Sequence, residues 1–176
     1  MRLTSLQRAC VASFCAATCW SAASLAGSGY RVPPIEGHVT DPAHRLSSDE
    51  KRAMEDKLEA YRDCSKHELA VFLAASLDGH TVEDVAYDTF NAWKIGRAHE
   101  DDGALLVIAH GERRTRIETG KGIGGSLPDL RAKAILSEHV SPHLKQNEFF
   151  QAVDEGTTEM ANALGGCPVQ SARTFM

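Results

Sequence analysis

The 176-residue sequence holds no apolar stretch of the roughly 20 residues that a bilayer span demands, no basic run, no internal repeat and only five cysteines. The first absence argues against a membrane-spanning protein, and the second makes an acidic chain a poor nucleic-acid binder. Signatures of covalent catalysis are missing as well. There is no G-x-S-x-G elbow and no G-x-x-x-x-G-K-[ST] phosphate loop. Ala70 stands where a C-x5-R loop beginning at Cys64 would need its arginine, and the turn Ala109, His110, Gly111 lacks the arginine of a histidine phosphatase. Any hydrolysis would rest on a metal-activated water.

What the first residues do carry is an address. Arg2 and Arg8 precede a small-residue apolar stretch, Ala9 to Ala17, followed by Ser21, Ala22, Ala23, Ser24, Leu25 and Ala26. This is the charged, apolar and small-residue order of a signal peptide over residues 1–26, cleaved near Ala26. Ala16, Ala17 and Thr18 before Cys19 fit a lipoprotein signal poorly. The mature chain is then periplasmic or secreted. It keeps 150 residues, enough for one domain with one core, and losing Arg2 and Arg8 takes the formal charge from −5 to −7. Of the cysteines, Cys64 and Cys167 remain. An even pair in an oxidising compartment favours a disulfide between them, the alternative being two unrelated thiols. Each is read as lying just past a helix, so the bridge would tie the first helix to the last.

Residues 27–46 hold Gly and Pro punctuation and read as an extended lead-in, with the folded domain set at 34–165 after a lead-in of 27–33 and before a short tail of 166–176. Ser47 and Glu50 form a capping box, and Ala53, Met54, Leu58 and Tyr61 recur at helical spacing down to Asp63. Glu68 to Ser76 reads as a buried strand. Thr81 and Asp84 open a helix through Val82, Val85, Ala86, Phe90 and Trp93, ending at Gly96. Gly103 to Ala109 is a second buried strand, followed by a turn at His110, Gly111 and Glu112 and a charged strand from Arg113 to Thr119. A third helix starts near Pro128 and Asp129, runs to about Val140 and is interrupted by Pro142. Phe149 to Leu164 gives the last helix, closed by Gly165 and Gly166. The order α, β, α, β, β, α, α predicts an α/β fold, a small sheet covered by helices.

Gly120, Gly122 and Gly125 match G-x-G-x-x-G between a strand and a helix, but that helix leads to another helix and not to the strand of a dinucleotide fold. The glycines read as a tight strand-to-helix passage. His139 and His143 stand at i, i+4 spacing, which invites a zinc site, yet Pro142 lies between them and no cysteine or third histidine is near in sequence. His38, His44 and His99 lie closer to acidic segments. The carboxylates carry more. Asp41 sits in a Thr-Asp-Pro turn, Asp101 and Asp102 precede a strand, Glu118 ends the next, and Asp129 starts a helix. Strand ends and helix starts collect at a common edge in α/β folds, so these five are the candidate ligands of a divalent cation, calcium or magnesium. Each also has a plain structural role, as Asx turn, solvated loop, exposed strand residue or helix cap.

Gly37, Val39 and Asp41; Val71; the helix from Val82 to Trp93 closing on Ile95 and Gly96; Asp102, Gly103, Leu105, Leu106 and Val107; Arg114, Arg116, Ile117, Glu118 and Gly120; Gly122 to Asp129; and Pro142 with the final helix resemble, in order and spacing, the TPM domain. The resemblance implies a three-layer αβα sandwich, a small mixed sheet with helices on both faces. Members of that family have been assigned acid phosphatase activity, calcium binding, photosystem II repair in plastids and receptor modulation in animals. Many bacterial relatives continue into a transmembrane helix and a glycine-rich tail, whereas ten residues follow Gly166 here, so a soluble protein is expected. Asp101 and Asp102 stand where relatives often place asparagine, which strengthens attraction for a cation. The reading that results is an exported, cation-binding module acting on envelope proteins. A metal-assisted acid phosphatase and a pure protein-interaction module are the alternatives.

Overall fold

The computed structural model describes residues 29–172, so the signal-peptide reading, with Cys10, Cys15 and Cys19, lies outside the described residues. Four strands form one mixed sheet in the order β1 (Val39–Thr40), β2 (Glu68–Leu73), β3 (Gly103–Ala109), β4 (Arg114–Thr119). The first three run parallel and β4 returns antiparallel to β3. The lead-in thus contributes a strand that its Gly and Pro content concealed. Its two residues are too few for periodicity to register, and what fixes β1 is pairing with β2 together with Glu55 of α1 (Ser48–Ser65), whose carboxylate accepts from the amides of His38 and Val39 at 2.8 Å each.

Alternation along β2 and β3 splits the core in two, as a sheet buried on both faces requires. Leu69, Val71, Leu73, Ala104, Leu106 and Ile108 point to α1, α3 (Asp129–Ile135) and α5 (Phe149–Leu164). Ala70, Phe72, Leu105 and Val107 point to α2 (Val82–Trp93), where Val85 and Ala86 are fully buried. The αβα layering follows directly. Among the described residues no helix is long and apolar enough to cross a membrane.

Local chemistry sets the element ends. The Ser47–Glu50 capping box forms in both directions, and Thr81 caps α2 through the amide of Asp84. α1 runs two residues beyond Asp63, so Cys64 lies inside its last turn and the helix ends at Lys66 in a left-handed conformation. β2 stops at Leu73, three residues before the expected Ser76, once pairing with Ile108 is exhausted. Pro142 does not break the third helix. A π-helical segment, Leu136–Val140, leads without a gap into α4 (Ser141–Lys145), and Pro142 occupies the first turn of α4, where its missing N–H costs little.

Candidate functional site

The register of the sheet decides which carboxylates can meet. Val39 and Thr40 pair with Val71 and Phe72, which pair in turn with Leu106 and Val107. Asp41 therefore leaves the sheet level with Ile108, six residues along β3 from Asp102, about 20 Å away at strand rise. Asp41 belongs to the C-terminal edge of the parallel strands, whereas Asp101, Asp102 and the end of β4 belong to the opposite edge. The common edge expected for all five residues is not the one the fold makes.

At the N-terminal edge the carboxylates of Asp102 and Glu118 are committed. Asp102 is buried and accepts from the Arg97 amide at 2.8 Å, Arg97 Nε at 2.7 Å and Arg97 Nη2 at 2.6 Å, with His67 Nδ1 3.8 Å away. Burial pushes the Asp102 pKa up, but the Arg97 hydrogen bonds outweigh it and leave the carboxyl below its ordinary value. Glu118 takes Arg116 Nε and Nη2 at 3.2 Å each. Asp101 is exposed in a left-handed turn and offers its backbone carbonyl to the Gly122 amide at 3.0 Å. Asp129 opens α3 on the surface and bonds none of the other four. A Cβ at Gly120 or Gly122 would collide with the carbonyl oxygens of Asp101 or Glu100, so those glycines serve the close backbone approach of the strand-to-helix passage. Among the described residues no three His, Cys, Asp or Glu side chains are grouped to hold a metal. The five carboxylates do not fit one calcium or magnesium cage.

The C-terminal edge is built differently. Asp41 Oδ2 caps the amides of Arg45 and Leu46 at 2.8 Å each, leaving Oδ1 buried without a partner. Arg45 lies 5.2 Å over the ring of Phe149, and His110 meets the same ring edge-on at 4.8 Å. Beside them a cleft of about 520 Å³ opens between the β3–β4 turn and α4, lined by His110, Arg113, Arg114, Ser141, Lys145 and Asn147, with Ala109, Thr115 and Leu144. Arg113 closes the turn, donating its amide to the His110 carbonyl at 3.1 Å.

Over residues 39–163 the chain matches the family model described as the TPM domain. The chain belongs to the TPM-domain family. Solved structures give the same fold. The N-terminal domain of a P. gingivalis protein is 31% identical, with 72% of this chain and 81% of that one covered at a TM-score of 0.67. The BA42 protein of the psychrophilic bacterium Bizionia argentinensis is 23% identical, covering 71% and 86% at 0.61. The N-terminal domain of cg2496 from Corynebacterium glutamicum is 15% identical, covering 81% and 90% at 0.59. The chain has no match among curated proteins.

Cys64 of the TPM domain is bonded to Cys167, just past its matched end, with Cα atoms 6.2 Å apart, which joins the end of α1 to the segment after α5 as the cysteine count suggested. Two features went unread in the sequence. Lys57 is buried on α1, its Nζ within 3.0 Å of the Asp154 carbonyl and carboxylate and of the hydroxyls of Thr157 and Thr158. Asp154 also accepts from Ser171 Oγ at 2.6 Å and the Ala172 amide at 2.9 Å, so the pair clasps the tail beyond the disulfide. The signal for Lys57 was its place at i+4 from Ala53 and i−4 from Tyr61, on the buried stripe. The second is the cationic cleft, for which basic residues in and just after a tight turn were the only local cue. His139 and His143 pair with acids: His143 Nδ1 is 2.7 Å from Glu148 and its Nε2 is 3.2 Å from Glu155.

Proposed function

We propose that this protein is an exported TPM module of the cell envelope that acts by binding other envelope proteins. The Cys64–Cys167 bond carries the export half of the reading, because structural disulfides persist in oxidising compartments and are rare in reducing ones. It agrees with the leader-like order of residues 1–26. The binding half is supported by an open cleft with side chains presented for contact. A phosphatase working through Asp102 is less favoured, since both oxygens of that carboxylate are already held by Arg97. The test is fractionation of the producing cell with mass spectrometry of the isolated chain. A periplasmic or secreted protein beginning near Gly27, two hydrogens lighter than its reduced form, is expected. A full-length, reduced protein in the cytoplasm overturns the reading.

Divalent-cation binding is a second reading, moved from the five-residue set to Asp41. Its support is the buried, unpartnered Oδ1, a hard oxygen donor with free lone pairs. Calorimetric titration with calcium and magnesium chloride tests it. A saturable heat that Asp41→Asn abolishes supports it, and a flat titration, or one unchanged in that variant, rejects it.

A further inference from the structure

The cleft at the C-terminal edge holds charge that the fold does not use. Among the described residues no ion pair or side-chain hydrogen bond engages Arg113, Arg114 or Lys145, although the whole chain carries 24 acidic residues against 19 basic ones. In so acidic a protein, pairing each cation with a carboxylate would be easy, and clustering them unpaired incurs mutual repulsion. The nearby carboxylates are turned elsewhere. Glu112 accepts from the Leu77 amide at 2.9 Å, and Glu148 holds His143. The backbone around the cleft is also held in uncommon conformations. Arg113 has φ 55° and Asn147 φ 60°, left-handed geometry that is uncommon for a residue such as arginine and better tolerated by asparagine. The π-helical segment ends at Val140, immediately before Ser141 on the cleft wall, and such segments are frequent at functional sites.

We propose that this cleft docks an acidic peptide segment of a partner protein, its carboxylates taken by Arg113, Arg114 and Lys145 and an apolar side chain of the segment laid against Leu144. The proposal rests on the binding-module reading and names the chemistry of the partner. Its cations stand on two walls, Arg113 and Arg114 on the hairpin and Lys145 on α4, so they match several anionic groups along a strand of chain and not one point charge. Guanidinium forks fit carboxylates with two parallel hydrogen bonds. A volume of about 520 Å³ is many times that of a single small oxyanion, and the partly exposed Leu144 gives it an apolar portion that a bare anion would not contact.

The experiment is an amide-detected NMR titration of the disulfide-bonded protein with three probes: an acetylated and amidated EDLEDL peptide, its KKLKKL counterpart, and sodium phosphate. Expected are EDLEDL shifts confined to residues 109–115 and 141–147, weakening as salt is raised, with no response to KKLKKL. Combining Arg113→Gln, Arg114→Gln and Lys145→Gln should weaken EDLEDL binding about tenfold or more, with the rest of the spectrum unchanged. EDLEDL shifts scattered elsewhere, or affinity unmoved by the three substitutions, overturn the proposal. Phosphate binding the same residues as tightly as the peptide does overturns the assignment to a peptide. The titration uses purified protein, so its outcome is independent of the export test, and either can fail alone.

Discussion

Two places in this domain gather charge, and they treat it in opposite ways. At the Lys57–Asp154 corner every charge is buried and each has several hydrogen-bond partners. At the cleft three cations are exposed to solvent and have none among the described residues. A buried charge must be satisfied or the fold loses the full cost of its desolvation. An exposed charge can be left open at little cost, and so stays available to a ligand. The Asp102–Arg97 pair is an intermediate case, with a buried carboxylate and a half-exposed guanidinium. Charge completed by its own fold is structural in this domain, and charge left uncompleted stays free to meet a ligand.

Lys57→Ala strikes the completed end of the comparison. It strands the Asp154 carboxylate, and removal of one partner from a buried pair costs about 3–5 kcal/mol; urea unfolding reads this as a lower midpoint. Next comes Cys64→Ser with Cys167→Ser. The bond spans 103 residues, and loss of a native disulfide from a small domain costs about 2–5 kcal/mol. The same double variant should loosen the tail that Asp154 grips, read as faster amide exchange at Ala172. Asp102→Asn should lower the urea midpoint by less than either, because the Arg97 side of its charge-assisted pair is half-exposed to solvent.

The corner also has a pH signature. Burial pushes the Asp154 carboxyl upward, but the hydrogen bonds from Ala172, Lys57 and Ser171 outweigh it and set its pKa below the ordinary value. A folded value below the unfolded one gives stability that is complete above the unfolded pKa, about 3.9, and lost as pH falls through the folded value. Asp154→Asn should flatten the acid limb of a plot of unfolding free energy against pH, and an unchanged limb counts against the clasp.

How much of this the sequence disclosed depended on whether the signal was local. The capping box at Ser47 and Glu50, the unbroken apolar run from Gly103 to Ala109, and two surviving cysteines are each determined by neighbours or by counting, and the structure contains all three. The proposed carboxylate set depended on which end of which strand each residue occupies. With β1 hidden in the lead-in, nothing in the order of residues put Asp41 and Asp102 at opposite edges. Pro142 looked like a break because the π-helical segment that precedes it has no simple signature. The cleft joins Arg113 and Arg114 to Lys145, about thirty residues later, and only the docking of α4 beside the β3–β4 turn brings them together.

The measurement closest to the central claim compares two urea-unfolding curves with that of the unaltered protein: Asp102→Asn, and the combined Arg113→Gln, Arg114→Gln, Lys145→Gln protein. If the cleft cations are uncompleted charge, the triple variant should stay within about 0.5 kcal/mol of the parent or exceed it, as repulsion is relieved, while Asp102→Asn falls clearly below. A triple variant destabilised as much as Asp102→Asn would contradict the account, because the cleft would then be part of what holds the fold together.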